Sequence, residues 1–219
     1  MTVETVKQAN DIVIAYGVIG VHPSELVELS DTLGLERAYE ICLGGLDLAA
    51  KYVAEGRAIA LKSGRPNFPV SPEMLEASNK LMRHAMGLSK DLGCAIQLHT
   101  ETEEDTMESI SRIALEAGLP PYRVVKHFSP PLVKKCESLN VIPSVIAGKG
   151  ALEEALSQGT RFMLETDYID DLTRPGSVLG PKTVPRKTKE AIRKGTPEEV
   201  FYRIHKDNPE KSYGVKIET

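Results

Sequence analysis

Three histidines, a lysine and an aspartate stand where short apolar runs come to an end. Val21-His22-Pro23 closes one run, Leu61-Lys62-Ser63-Gly64 another, Leu98-His99-Thr100-Glu101 a third, Lys126-His127-Phe128 a fourth and Glu165-Thr166-Asp167 the last. Two imidazoles and a carboxylate, from His99, His127 and Asp167, suit a borderline divalent ion such as zinc, manganese or cobalt, which accepts nitrogen and oxygen donors together. A single histidine after an apolar strand is commonest as a hydrogen-bonded turn residue. Three such side chains at three strand ends are better explained as one set. His22, before a proline, is balanced between pocket lining and a structural turn. Glu101 lies two residues after His99, and Glu165 two before Asp167, so each shares its neighbour's side of an alternating strand and can support a ligand or the substrate. For either acid alone, a solvated or ion-paired role is as good an account. His84, inside a helical pattern, and His205, near the C-terminal helix end, read as structural. Arg65, Lys126, Arg174, Lys182 and Arg186 are the candidate anion contacts, and Arg186 stands out because a guanidinium can grip a phosphate or carboxylate with two bonds. For any one of these cations, an ordinary surface charge is the simpler account.

These positions need elements that bring them together. Residues 12–21, 58–61, 94–98, 123–126, 141–147 and 161–165 read as six buried strands, separated by stretches of helical periodicity. That alternation predicts a parallel α/β sheet. The periodicity of residues 71–92 and 103–117 predicts two helices. Ser71-Pro72-Glu73 offers an N-cap, a proline in the first turn and an acid against the helix dipole, and Gly93 and Gly118 stand where C-caps belong. The stretch 170–186, with Pro175, Gly176, Gly180, Pro181 and Pro185, reads as a long irregular loop with no helix, and a loop of that length after a strand is usually functional. In a parallel barrel the C-terminal strand ends converge on one mouth, which would make His99, His127, Asp167 and Lys62 neighbours.

Composition narrows the class. The 219 residues, 41% hydrophobic and 26% charged, suit one soluble domain spanning residues 1–219. The N-terminus has no basic stretch followed by an apolar one, and no apolar run spans a bilayer, so a cytoplasmic protein without a membrane partner is expected. Cys42, Cys94 and Cys136 are far apart and suit reduced core thiols. A net charge of −4 argues against a general polyanion binder, although a local basic pocket is compatible with it. No G-x-G-x-x-G or Walker sequence follows the first strand, which excludes the usual nucleotide folds.

The ordered motifs GVIGVHPSE, AIALKSGRP, CAIQLHTETEED, VVKHFSPP and FMLETDYIDD, closing with Asn208-Pro209-Glu210-Lys211-Ser212-Tyr213-Gly214, resemble the TatD-like metal-dependent hydrolases, particularly their archaeal-type branch. The resemblance covers practically the whole chain. Each motif is weak alone; their order, at intervals of one βα unit, is what makes the combination specific. The resemblance implies a TIM-type barrel with one or two divalent ions (Zn, Mn, Co or Mg), held by an H-x-H pair on the opening strand, a glutamate on a middle strand, two later histidines and a final aspartate. His99 and His127 match the later histidines. Asp167 matches the aspartate, which would orient the attacking water and take its proton.

Two departures stand out. No H-x-H occurs, and the chain starts shortly before what would be the third strand, so about six of the barrel's eight βα units are expected. The two open edges of such a sheet would need an absent segment or a second copy of the chain to cover them. Lys62 aligns with the bridging glutamate. A bare ammonium would repel an ion, whereas an amine held neutral by burial can take up carbon dioxide and become a carbamate, which ligates as a carboxylate does. The alternative for Lys62 is a contact to a substrate phosphate or a neighbouring acid. The expected activity is hydrolysis of a phosphodiester, DNA by family analogy, or of a small ester or amide. A lactonase or amidohydrolase acting on an uncharged molecule is the alternative, as is a homologue that binds without catalysing.

Overall fold

The computed structural model describes residues 2–169, 173 and 179–218. Among these, six strands form one parallel sheet in sequence order: β1 (Val18–Gly20), β2 (Ala60–Gly64), β3 (Ala95–His99), β4 (Val124–Ser129), β5 (Ile142–Ile146) and β6 (Met163–Glu165). The helices are α1 (Thr2–Ala9), α2 (Pro23–Leu33), α3 (Leu35–Ala54), α4 (Pro72–Leu92), α5 (Glu104–Ala117), α6 (Val133–Ser138), α7 (Ala151–Gln158), α8 (Thr183–Arg193), α9 (Glu198–Tyr202) and α10 (Asn208–Tyr213). A π-helical turn, Arg203–Asp207, joins the last two. Each strand pairs in parallel with its neighbour in sequence, and β1 and β6 are the edges, as in an incomplete TIM-type barrel. No described helix is long and apolar enough to cross a membrane.

Strand alternation divides the sheet into two faces. One face carries Ile96, Leu98 and Val124 into the helix layer, where they pack with Leu46, Met82, Met86, Met107 and Ile110, and Leu61, which packs with Ala49, Ala50 and Cys94. Each fully buried side chain of this size contributes about 1.5–3 kcal/mol relative to exposure. The other face carries Lys62, Gln97, His99, Val125, His127, Ile142, Ser144, Met163 and Glu165. At the strands' N-terminal end this face is floored by the last segment of the chain. Asn208 donates to the Thr160 and Phe162 carbonyls at 2.7 and 2.8 Å, Arg123 donates to the Ser212 carbonyl at 3.0 Å, and the Tyr16 hydroxyl donates to that of Lys216 at 3.0 Å. Tyr213 lies on Val125, Ile142 and Met163 and its hydroxyl donates to Gln97 Oε1 at 2.9 Å.

The helix signals act as expected. Ser71 caps α4 by accepting the Met74 N–H, and Gly93 and Gly118 end α4 and α5 in the left-handed region. The three cysteines are free and buried. Two expectations are corrected. Residues 12–17 are not strand; Ile12, Val13 and Ile14 are exposed, because Asn10 ties the chain into a turn by donating to the Val6 and Ala15 carbonyls and accepting from the Ala15 N–H. An apolar run makes a strand only where it has a partner, and β1 pairs on one side alone, with β2. The stretch 170–186 is not wholly irregular either, since α8 begins at Thr183 with Pro185 in its first turn, where the missing N–H would have no helical partner in any case. The rest of that stretch, including Arg174, lies largely outside the described residues.

Candidate functional site

The strand ends deliver the candidate side chains to one region. The His22 and His99 rings lie with centroids 4.5 Å apart, and His99 and His127 with centroids 5.8 Å apart. His127 Nε2 faces Asp167 Oδ1 at 3.2 Å. Lys62, beside Gln97 in the β2–β3 register, is close enough to Asp167 and Glu165 for both to favour its charged form. Close backbone approach makes this crowding workable: a Cβ on Gly64 would stand 1.8 Å from the His99 carbonyl oxygen, a position only glycine can occupy.

Glu165 organises His127. Its carboxylate accepts the His127 Nδ1–H at 2.9 Å, the Phe128 N–H at 2.6 Å and the Ser144 hydroxyl at 2.7 Å. Phe128 and Asp167 both hold positive φ, 51° and 47°, outside the usual range of such residues. The β4–β5 register also shifts between Lys126 and Ser129. This irregular backbone sits beside the histidine and aspartate it presents, as strained geometry at functional sites commonly does.

Electrostatics favours the neutral form of His99 and of His22. Burial, then the neighbouring His22, His127 and Lys62, push the His99 pKa down to about 3. His22 is lowered by burial and then by Lys62, and Lys62 is lowered chiefly by burial. A neutral imidazole is the form that ligates a metal. His99, held neutral, together with His127 and the Asp167 carboxylate offers the nitrogen and oxygen donors a borderline divalent ion takes, and the Glu165 contact is the support a ligating histidine usually receives on its other nitrogen. Among the described residues no group of three His, Cys, Asp or Glu side chains is closed tightly enough to enclose an ion by itself. The donor chemistry fits, and the set is gathered without being closed.

The other candidates have definite places. His22 caps α2, its Nδ1 accepting the Ser24 N–H at 3.3 Å, so the structural role is realised alongside the contact to His99. Arg65 and Glu101 meet each other: Nε to Oε2 is 2.6 Å, and Arg65 Nη1 also donates to Asn79 and Ser109 at 3.1 and 3.0 Å. Arg65 is 6% exposed and joins the segment after β3 to α4 and α5, with its guanidinium engaged by these three side chains. Arg186 is exposed on α8, away from this cluster's hydrogen bonds. His84 binds Asp47 at 2.7 Å and His205 binds Thr188 at 2.8 Å. Lys126 does not face the mouth: it is fully buried, and burial lowers its pKa to about 8. Alternation foretells this, because adjacent residues of a strand cannot share a face and His127 occupies the inner one. Tyr213 stands in the closing motif of the sequence, but its partners on strands far back in the chain are not legible there; burial raises its pKa.

With this geometry in view, comparison with known proteins is informative. The family model of TatD-related DNases matches residues 1–214. Protein MJ1127 of Methanocaldococcus jannaschii is 43% identical over 213 residues, which cover 95% of this chain and 76% of that protein. The crystal structure of YjjV, a TatD homologue from Escherichia coli, superposes with a TM-score of 0.69 at 17% identity, covering 97% of this chain and 82% of that one. A mutant of a lactonase from Deinococcus radiodurans, described as PTE-like, superposes with a TM-score of 0.61 at 17% identity, covering 91% and 72%. At such identities the two superpositions show a shared fold. The chain belongs to the TatD-related DNase family.

Proposed function

We propose that this TatD-family chain is a divalent-metal-dependent hydrolase acting on phosphodiesters, with His99, His127 and Asp167 as metal-holding residues and Asp167 as the catalytic acid–base. One observation carries it. His127 lies between two carboxylates, its Nδ1 2.9 Å from Glu165 and its Nε2 3.2 Å from Asp167 Oδ1, so that a ring carrying one proton, on Nδ1, turns its Nε2 lone pair toward Asp167. In that form Nε2 and the Asp167 carboxylate together offer a nitrogen and an oxygen donor to a divalent ion. A divalent ion there would supply Lewis acidity toward the substrate oxygen and make water a stronger nucleophile near neutral pH.

The chain's own residues account for the rest. Asp167, at the mouth, is placed to hold a water and take its proton. Glu165 keeps His127 in one tautomer. Lys62, half-buried among these donors with a lowered pKa, is suited to reacting as a neutral amine with carbon dioxide, giving a carbamate in place of the glutamate that the family resemblance leads one to expect. Support for a charged substrate comes from α8. Lys182, Arg186, Lys189 and Arg193 are exposed at helical spacing on one face, and between Lys182 and Lys194 six Lys and Arg stand against a single acid, Glu190. Lys187 pins this helix to the loop after β5, at the strand end where the site lies, by donating to the Gly148 carbonyl at 2.8 Å.

The test is turnover of bis(p-nitrophenyl) phosphate, short DNA and a lactone panel by wild type and His127→Ala, with and without chelator. Chelator-sensitive phosphodiester cleavage that His127→Ala abolishes is expected. Cleavage of lactones alone would shift the assignment to the uncharged-substrate class. No turnover on any substrate, with added metal, would leave a binding homologue.

A further inference from the structure

Lys126 is among the largest fully buried side chains of the described residues, and an ammonium inside a protein is costly unless its donors are satisfied. Its Nζ lies 2.6 Å from the His127 carbonyl, 3.2 Å from that of Thr100 and 3.4 Å from that of Phe128. All three partners are neutral backbone oxygens. They belong to two chain segments: Thr100 directly follows His99 at the end of β3, while His127 and Phe128 form the irregular end of β4. The β4–β5 pairing passes over His127 and Phe128, where the register shifts, and Phe128 is in the left-handed region. A single cation thus joins, from behind the sheet, the two strand ends that carry His99 and His127.

We infer that Lys126 is a positioning residue of the site, whose ammonium binds the β3 and β4 ends together and so sets the spacing and orientation of His99 and His127. The inference rests on the proposed metal centre for its consequence, and on the three carbonyl contacts for its geometry. A lysine that served packing alone would fill its space equally well as an uncharged chain of the same length. A lysine that acts through its three donors is not replaced by methionine, which has no donor to offer the Thr100, His127 and Phe128 carbonyls.

The experiment compares wild type, Lys126→Met and Lys126→Gln by zinc affinity in chelator competition and by the ring 15N–1H signals of the histidines in metal-free protein. Lys126→Met is expected to keep a cooperative thermal transition, to bind zinc about 10-fold or more weakly, the range seen when the group supporting a metal ligand is removed, and to shift the His99 and His127 ring signals. Lys126→Gln, which restores one or two donors, should recover part of both. Zinc affinity within twofold of wild type together with unmoved ring signals in Lys126→Met would overturn the inference; if that variant does not fold, the same result in Lys126→Gln would do so. Should wild type bind no zinc, the metal assignment fails, and the ring signals of metal-free protein still decide whether Lys126 positions the histidines.

Discussion

The Glu165 carboxylate receives His127 Nδ1–H at 2.9 Å while Asp167 stands 3.2 Å from Nε2 of the same ring. One acid orients the imidazole and the other shares its open side, and the two lie two residues apart at the end of one strand. Glu165→Gln can donate as well as accept, so it weakens the tautomer preference. It is expected to lower zinc affinity about 10- to 100-fold with little change in thermal midpoint, measured by chelator competition. An unchanged affinity would remove Glu165 from the site.

Lys62 offers a chemical test. If it is a carbamate, intact mass under mild, bicarbonate-containing conditions should show a species about 44 Da heavier, lost on acidification. Lys62→Ala should lose metal and Lys62→Glu should regain part of it. A bare lysine paired with an acid in metal-loaded protein would refute the carbamate.

Acid sensitivity follows from the depressed histidines. His99 titrates at about 3 in the folded chain, against about 6.5 when unfolded, so the unfolded state binds the proton more readily. Stability from this group is complete above about pH 6.5 and declines as pH falls from there toward 3. Denaturation midpoints of metal-free protein between pH 7 and 4 should fall more steeply for wild type than for His99→Gln. Parallel curves would show that His99 is not held neutral.

The basic face of α8 predicts a substrate-dependent effect. Arg186→Ala with Lys189→Ala should raise KM for a DNA oligonucleotide and lower the salt slope by about 1 for each phosphate no longer neutralised, while leaving a neutral ester unaffected. Equal losses on both substrates would mean that the stripe does not bind the charged one.

Much of the fold is legible in the sequence because local rules and packing agree. Ser71, Gly93 and Gly118 each serve the cap their type and place suggest. The strand ends at His99, His127 and Asp167 meet because parallel strands share one direction. What stays hidden depends on partners remote in sequence. The run 12–17 looks like strand from its apolar content, but Ile12, Val13 and Ile14 are exposed and only Gly17, at its end, meets β2's side of the sheet through the Ile59 N–H. Arg65 looks like an anion contact until Glu101, Asn79 and Ser109 are seen around it. Lys126 differs for a simpler reason, since alternation with His127 already puts it on the other face.

The most direct test of the central claim is the metal content of the purified chain, by elemental mass spectrometry after incubation with zinc, manganese or cobalt and removal of unbound ion. A metal site built on His99, His127 and Asp167 predicts about one equivalent or more in wild type and loss of it in His127→Ala and Asp167→Asn. Wild-type protein that stays metal-free, or metal retained equally by both variants, would contradict it.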